Sequence, residues 1–315
     1  MPSADSLQVR VTATRWEAHR VTSFELAPVD GQNLPPWSPG AHIDVRLPSG
    51  TVRQYSLCGD LANRQAYRIA VLELPQGRGG SLEVHRELRA GTVLTIGAPR
   101  SNFALVDADR YVFVAGGIGI TPLLPMIQHV AERGIKWELF YGARSREHFA
   151  FLGRLGNDSV HLVAQDTDGL IDLEQVVAES VGAALYCCGP RPLMDALSAR
   201  MLREHRTADL HIEHFGATAV PSGDVAQDGF DLELARSGVV VTVPAGQSVL
   251  EAVRGAGVDH PSSCEMGFCG TCEARVLSGA VDHRDELLTE EEKARGTTML
   301  ICVSRAAGER LALDI

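Results

Sequence analysis

With 315 residues the chain has room for two or three domains, and its 45% hydrophobic content suffices for ordinary globular cores. The formal charge of −11 at pH 7 argues against a nucleic-acid binder, which needs a basic stripe facing phosphates; it leaves a solvating acidic surface or an acidic docking face for a protein. The apolar stretches 111–115 and 239–243 are strand-length, far short of the ~20 residues that span a membrane, and the opening MPSADSLQVR lacks an apolar signal core, so a cytoplasmic protein off the membrane is expected.

Residues 7–14, 42–47, 51–57, 67–74 and 93–96 alternate apolar and polar side chains, with turn signals at Asp30-Gly31, Pro48-Ser49-Gly50 and Ala90-Gly91 between them. That pattern predicts a small antiparallel sandwich or barrel. In Arg53-Gln54-Tyr55-Ser56-Leu57, alternation places Arg53 and Tyr55 on one face of a strand. A guanidinium there can pair with a phosphate, and a tyrosine can lie against a ring. The Arg-x-Tyr-Ser tetrapeptide within it also arises by chance. Gly77-Arg78-Gly79-Gly80-Ser81 precedes a predicted helix over 82–88, so backbone amides at the helix start offer an anion site; a flexible loop is the alternative.

From residue 111 the period changes. Strands over 111–115, 137–141, 160–164, 184–188 and 209–214 alternate with helices over 123–133, 173–179 and 192–204, which predicts a parallel α/β sheet. The first strand runs into Gly116-Gly117-Ile118-Gly119-Ile120-Thr121-Pro122, an arrangement that presents amides to a pyrophosphate, with Pro122 expected at a first helical position. The third glycine of the dinucleotide fingerprint is absent, so a Rossmann dehydrogenase is the poorer reading. Cys188-Gly189-Pro190 repeats the strand-end logic; Cys187 points the other way and reads as core, and Cys58 reads as structural. Asp166 and Asp168 follow the 160–164 strand, where a carboxylate can bond a ribose diol and repel a 2′-phosphate. Arg144 and Arg146 would instead attract that phosphate.

Residues 217–229 are small, polar and broken by Pro and Gly, an interdomain linker by composition, and a hairpin is predicted over 230–243. The informative cysteines come last. Cys264, Cys269, Cys272 and Cys302 are spaced C-x4-C-x2-C-x29-C, the plant-type [2Fe–2S] arrangement, in which three thiolates on one tight loop meet a fourth from a separate strand. Gly267, Gly270 and Thr271 keep the loop free of bulk, so backbone N–H groups can turn toward the sulfurs. Structural zinc usually shows two short ligand pairs, and the far side here has one cysteine.

The segment HPSSCEMGFCGTC (260–272), closed by MLICVS (299–304) with Asp282-His283-Arg284-Asp285 between, resembles the ferredoxin domain of phthalate dioxygenase reductase-type proteins and of vanillate-demethylase-like reductases. The upstream motifs follow in the family's order, so the resemblance covers essentially the whole chain. It implies a multidomain α/β plus β fold: an antiparallel flavin-binding β-barrel (1–105), a parallel α/β nicotinamide-binding domain (106–220), a linker (221–229) and a C-terminal β-grasp plant-type ferredoxin domain (230–315). It implies FMN rather than FAD, NADH rather than NADPH, and electron transfer through a [2Fe–2S] cluster to a terminal Rieske non-haem iron oxygenase on a separate chain. Arg53, Tyr55, Ser56 and Leu57 would line the flavin, with Ser56 near N5 and the Gly79-Gly80-Ser81 segment on its phosphate. Gly116, Gly117, Gly119, Thr121, Pro122, Gly189 and Pro190 would hold the nicotinamide nucleotide. Cys188 would lie beside the nicotinamide C4, Asp166 on the ribose, and Phe215 over the isoalloxazine until nicotinamide displaces it. A flavin exchanges both one and two electrons, which is what joins a hydride donor to a one-electron cluster. A monomer is expected. Feeding a cytochrome P450 or a separate ferredoxin, acting as a free-standing diaphorase, and a non-enzymatic iron–sulfur or zinc interaction module stay open as alternatives.

Overall fold

The N-terminal alternating segments pair into one antiparallel sheet. In the computed structural model, which describes residues 6–75, 79–156, 158–214, 229–262, 267, 270–285 and 287–315, six strands precede residue 100: β1 (Ser6–Ala18), β2 (Val21–Pro28), β3 (His42–Arg46), β4 (Val52–Ser56), β5 (Tyr67–Leu72) and β6 (Val93–Gly97). Their order is β4-β3-β6-β1-β2-β5, and the Cys58 N–H donates to Arg68 O at 2.9 Å, linking the end of β4 to the far-edge strand β5. Alternation drives the inward face: Val9, Val11, Phe24, Leu26, Ile43, Val45, Ile69, Leu94 and Ile96 are buried in one cluster, each such side chain contributing about 1.5–3 kcal/mol. β2 was not among the expected strands. Its burial pattern places Ser23 and Phe24 side by side in the interior, which breaks the period-two signal. The helix α1 (Gly80–Glu87) connects β5 to β6.

A parallel sheet follows, built from β7 (Arg110–Gly116), β8 (Lys136–Ala143), β9 (Val160–Ala164), β10 (Ala184–Gly189) and β11 (Leu210–His214). The connecting helices are α2 (Ile120–Glu132), α3 (Gln165–Asp168), α4 (Leu173–Glu179) and α5 (Arg191–Arg203). Strand order is β11-β10-β7-β8-β9. The chain therefore moves outward from β7 through β8 and β9, then returns to the other side of β7 as β10. That reversal creates a crevice at the carboxyl ends of β7 and β10, where open α/β sheets bind ligands. Both faces are covered, which is why these strands read as continuous apolar runs: Tyr111, Phe113 and Tyr186 pack with α2, while Val112, Val114, Leu185 and Cys187 pack with α4 and α5. Pro122 is the third residue of α2 rather than the first, since the helix already begins at Ile120; its missing N–H still falls in the first turn, where no intrahelical partner exists. The two sheets belong to one compact unit, Met1–Phe215.

The second unit, Gly216–Ile315, contains β12 (Phe230–Leu234), β13 (Val239–Val243), α6 (Val249–Gly255), β14 (Glu273–Ser278), β15 (Val281–Asp282), α7 (Glu290–Arg295), β16 (Thr298–Leu300), β17 (Arg305–Ala306) and β18 (Arg310–Leu313). The mixed sheet runs β13-β12-β18-β14-β16, with β12 and β13 antiparallel and β12 and β18 parallel. Leu250 and Val253 of α6 share a core with Phe230, Leu232, Leu311 and Leu313. The helix is started by a capping box in which the Ser248 hydroxyl accepts from the Glu251 N–H and the Glu251 carboxylate from the Ser248 N–H. Most of the composition-based linker, residues 217–228, lies outside the described residues. Among the described residues no helix is long and apolar enough to cross a membrane.

Candidate functional site

Two features converge where β4 meets the start of α1. Arg53 and Tyr55 lie opposite Val45 and Ile43 on β3, so their side chains share a face of the strand pair. A Cβ built on Gly80 would lie 2.7 Å from Arg53 Nε, so only glycine lets the Arg53 side chain lie against the helix start. Gly79 precedes it at φ 83 with open space around it and no side chain capping the helix. A guanidinium beside uncapped amides is an anion cradle. Ser81 Oγ accepts the Leu74 N–H at 3.1 Å. Glu83, the acidic residue of that first turn, is engaged away from it by Ser49, whose N–H and hydroxyl both donate at 2.7 Å. Burial raises the Tyr55 phenol well above its ordinary range, with Arg53 opposing, so it stays neutral. Leu57 follows with its side chain fully buried in the sheet core and its N–H donating to Ala41 O at 2.8 Å.

Ser56, at the end of β4, is buried, and it stands beside a carboxyl that the sequence reading passed over. Glu213 on β11 pairs with Cys188 on β10, and Cys188 with Ala115 on β7. In a parallel ladder these neighbours point to the same face at the carboxyl ends of the strands. Burial pushes the Glu213 carboxyl up to about 8, with the Ser56 hydroxyl opposing. No hydrogen bond is formed between them: Ser56 Oγ and Glu213 Oε2 are both buried without a partner among the described residues. Burial, then Glu213, raises the Cys188 thiol well above its usual range, so it remains a thiol. Orphaned buried polar atoms of this kind cost free energy unless a ligand completes them. In the sequence Glu213 stands between Ile212 and His214 with no local pattern to single it out.

The glycines at the switch point divide into two kinds. A Cβ on Gly116 would lie 2.4 Å from Pro190 Cδ, one on Gly119 2.2 Å from Cys188 O, and one on Gly189 2.9 Å from Gly116 Cα. These three let β7 and β10 close on each other. Gly117 alone combines φ 54 with open space, leaving its backbone accessible ahead of α2. The Thr121 hydroxyl donates to Ile118 O at 3.0 Å and is internally satisfied. Pro190 is the residue before the first turn of α5. The two acidic residues after β9 also separate. Asp168 Oδ2 accepts the Ala164 N–H at 2.9 Å and Oδ1 the Thr167 hydroxyl at 3.1 Å, so it closes its own turn instead of facing a ribose. Asp166 is exposed, its N–H donating to Arg144 O at 3.1 Å.

In the second unit, Cys272 and Cys302 are buried at the ends of strands joined by the Ile301 N–H donating to Cys272 O at 3.2 Å. Cys264 and Cys269 lie outside the described residues, as does Phe215. Gly267 and Gly270 adopt φ 79 and 75, and a Cβ on Gly267 would lie 2.7 Å from Val303 Cγ2 and 3.1 Å from Asp285 Cα. Left-handed Gly267, pressed against Val303 in the turn that carries Cys302, and left-handed Gly270, against Leu287, suit a loop wrapping a cluster. Asp285 anchors this packing from below: its buried carboxylate accepts the Leu288 N–H at 2.9 Å and the Ser304 hydroxyl at 3.2 Å, with His283 Nδ1 at 3.4 Å. Cys58 and Cys187 are buried, and burial pushes both thiols up to about 12, so they are packing groups.

Residues 232–307 match the family model described as a 2Fe-2S iron-sulfur cluster binding domain. The chain is 41% identical over 314 residues to phenoxybenzoate dioxygenase subunit beta of Ectopseudomonas oleovorans, covering 98% of this chain and 97% of that protein. The solved structure of phthalate dioxygenase reductase, described as modular for electron transfer from pyridine nucleotides to [2Fe–2S], aligns with a TM-score of 0.78 at 37% identity over 98% of each chain. An intact type IV self-sufficient cytochrome P450 monooxygenase aligns with a TM-score of 0.82 at 43% identity; the match covers 98% of this chain and 41% of that one.

Proposed function

Since the chain belongs to the phthalate dioxygenase reductase family, oxidoreductases that pass electrons from NAD(P)H through a flavin and a 2Fe–2S centre in dioxygenase and O-demethylase systems, we propose that it moves electrons from NADH through FMN and [2Fe–2S] to a terminal Rieske oxygenase on a separate chain. The observation that carries this reading is the convergence of Ser56, Cys188 and Glu213 at the switch point, with Arg53, on the same strand as Ser56, lying against Gly80 at the start of α1. When bound, the flavin takes up a hydride and releases electrons singly. The chain's own residues do the rest. Arg53 and the amides after Gly79 bind a phosphate, Tyr55 offers a neutral aromatic face, and Ser56 orients the ring edge. Gly117 and the start of α2 take the pyrophosphate. Cys188, kept as a neutral thiol, makes room for a nicotinamide without introducing charge. Asp166 is the open carboxylate after β9, which favours a free ribose diol and so NADH. Cys264, Cys269, Cys272 and Cys302 hold the iron, and Phe215 screens the flavin.

In this reading residues 1–105, 106–220 and 230–315 are the flavin, nicotinamide and ferredoxin domains, 221–229 is their linker, and the protein works as a monomer in the reducing cytoplasm. Residues 230–315 carry fourteen Asp/Glu against eight Arg/Lys, an acidic face suited to a basic patch on the oxygenase. A second acceptor, a cytochrome P450, is favoured by the likeness to the self-sufficient monooxygenase. Anaerobic titration of the purified protein with NADH should bleach flavin bands near ~450 nm together with an iron–sulfur shoulder. Colourless, zinc-binding protein would end the reading. In reconstitution, faster transfer to a Rieske oxygenase than to a P450, slowing as salt is added, is expected; the reverse ranking would assign the second acceptor.

A further inference from the structure

Away from the strand ends described above, two loops bring a metal-ligating set together. His19 sits in the turn between β1 and β2, ahead of Arg20 at φ 60. Glu147 and His148 belong to the short 3-10 turn after β8, Arg146–His148. The His19 N–H donates to Glu147 O at 2.9 Å, so the backbones are already joined. The two imidazoles lie 4.8 Å apart by ring centroid, tilted by 59°. One donor atom from each of His19, Glu147 and His148 lies within 4.8 Å of the other two. We propose that these three side chains form a site for a divalent transition-metal ion of the Zn²⁺ class, clamping the β1–β2 hairpin to the segment after β8.

The donor set decides the class of ion. Two imidazoles and a carboxylate suit Zn²⁺ and its neighbours, whereas Mg²⁺ and Ca²⁺ prefer all-oxygen shells. Ligand bonds of about 2.0–2.2 Å would bring the donors to roughly 3.3 Å from one another, a closure that side chains on two surface loops can make by rotation. Water completes the coordination. His148 also has an outer partner, Ser145 Oγ at 2.7 Å from Nδ1, and such a bond orients a ligating ring.

The test uses the full-length holoprotein, dialysed against micromolar Zn²⁺ in a non-chelating buffer, with zinc and iron counted by mass spectrometry. The wild type should take up a single equivalent with iron and visible absorbance unchanged, and its thermal midpoint should rise with added Zn²⁺. His19→Ala and His148→Ala should each weaken uptake by at least about tenfold, and Glu147→Gln less. All three positions lie on surface loops, and unchanged flavin and cluster absorbance verifies that the variants are folded. Uptake by the double variant H19A/H148A equal to wild type would overturn the site. So would no uptake by the wild type, or zinc gained only in step with iron lost.

Discussion

Glu213 is a carboxyl held in its neutral form by the fold. Its native pKa of about 8 stands above the ordinary 4.5 because burial penalises the charge more than the nearby Ser56 hydroxyl relieves it. The sign of the linkage follows. Between those two values the folded chain holds a proton that the unfolded chain has released. The stability attached to this group is therefore complete below 4.5 and is lost as pH rises through about 8. Glu213→Gln, which cannot ionise, should flatten that part of the thermal-midpoint profile while leaving the fold intact. In the proposed reaction it should also remove the pH dependence near 8 from flavin reduction by NADH; a rate profile identical to wild type would show that the carboxyl does not face the hydride path. The sequence reading reached Ser56 and Cys188 because they sit in recurring patterns, Arg-x-Tyr-Ser and Cys-Gly-Pro. Glu213 has no local pattern. What makes it unusual is burial, and burial comes from three strands and a neighbouring sheet that meet only after folding.

At the scale of elements, the strand-end glycines show that one motif can serve two purposes. Gly116, Gly119 and Gly189 permit the ends of β7 and β10 to close, while Gly117 supplies the accessible backbone. Gly119→Ala would push a methyl group into the carbonyl of Cys188, backbone against backbone, with no flexible side chain to give way. It should cost about 1–3 kcal/mol or more in chemical denaturation, and Gly117→Ala should be felt mainly through its positive φ. The periodic elements were legible from sequence to within a few residues: β9 and α4 fall at their expected bounds, 160–164 and 173–179. Several escaped, α6, α7 and the strands after residue 272 among them, and two of the others are informative. β2 places two successive residues inward and so hides its alternation, and α3 is a single turn too short to show helical period.

For the whole molecule, the order of the parts follows from the electron count. A hydride arrives at one unit and single electrons leave from the other, so losing one cluster thiolate should separate the two activities. Cys302→Ser is expected to abolish reduction of the oxygenase yet leave flavin reduction by NADH within about twofold of wild type, since Cys302 lies in the core of the second unit alone. Stopped-flow absorbance followed by turnover with oxygenase would measure both; loss of flavin reduction as well would mean that the units are not functionally separable.

By itself the sequence determined what depends on spacing along the chain: the two alternating regions, the strand–glycine–helix turn, the cysteine ligand pattern and, through them, the family. Local periodicity and short loops are properties of neighbouring residues, so they survive without coordinates. Only the tertiary structure decided which of these groups meet. It set Glu213 beside Cys188 and Ser56, assigned Asp168 to its own turn, gave three glycines to packing and one to open backbone, and brought His19 to Glu147 and His148. The Glu213, glycine-packing and His19 outcomes are contacts between segments distant in sequence, fixed by strand order and loop placement, whereas Asp168 is a local turn whose side-chain direction spacing alone does not give.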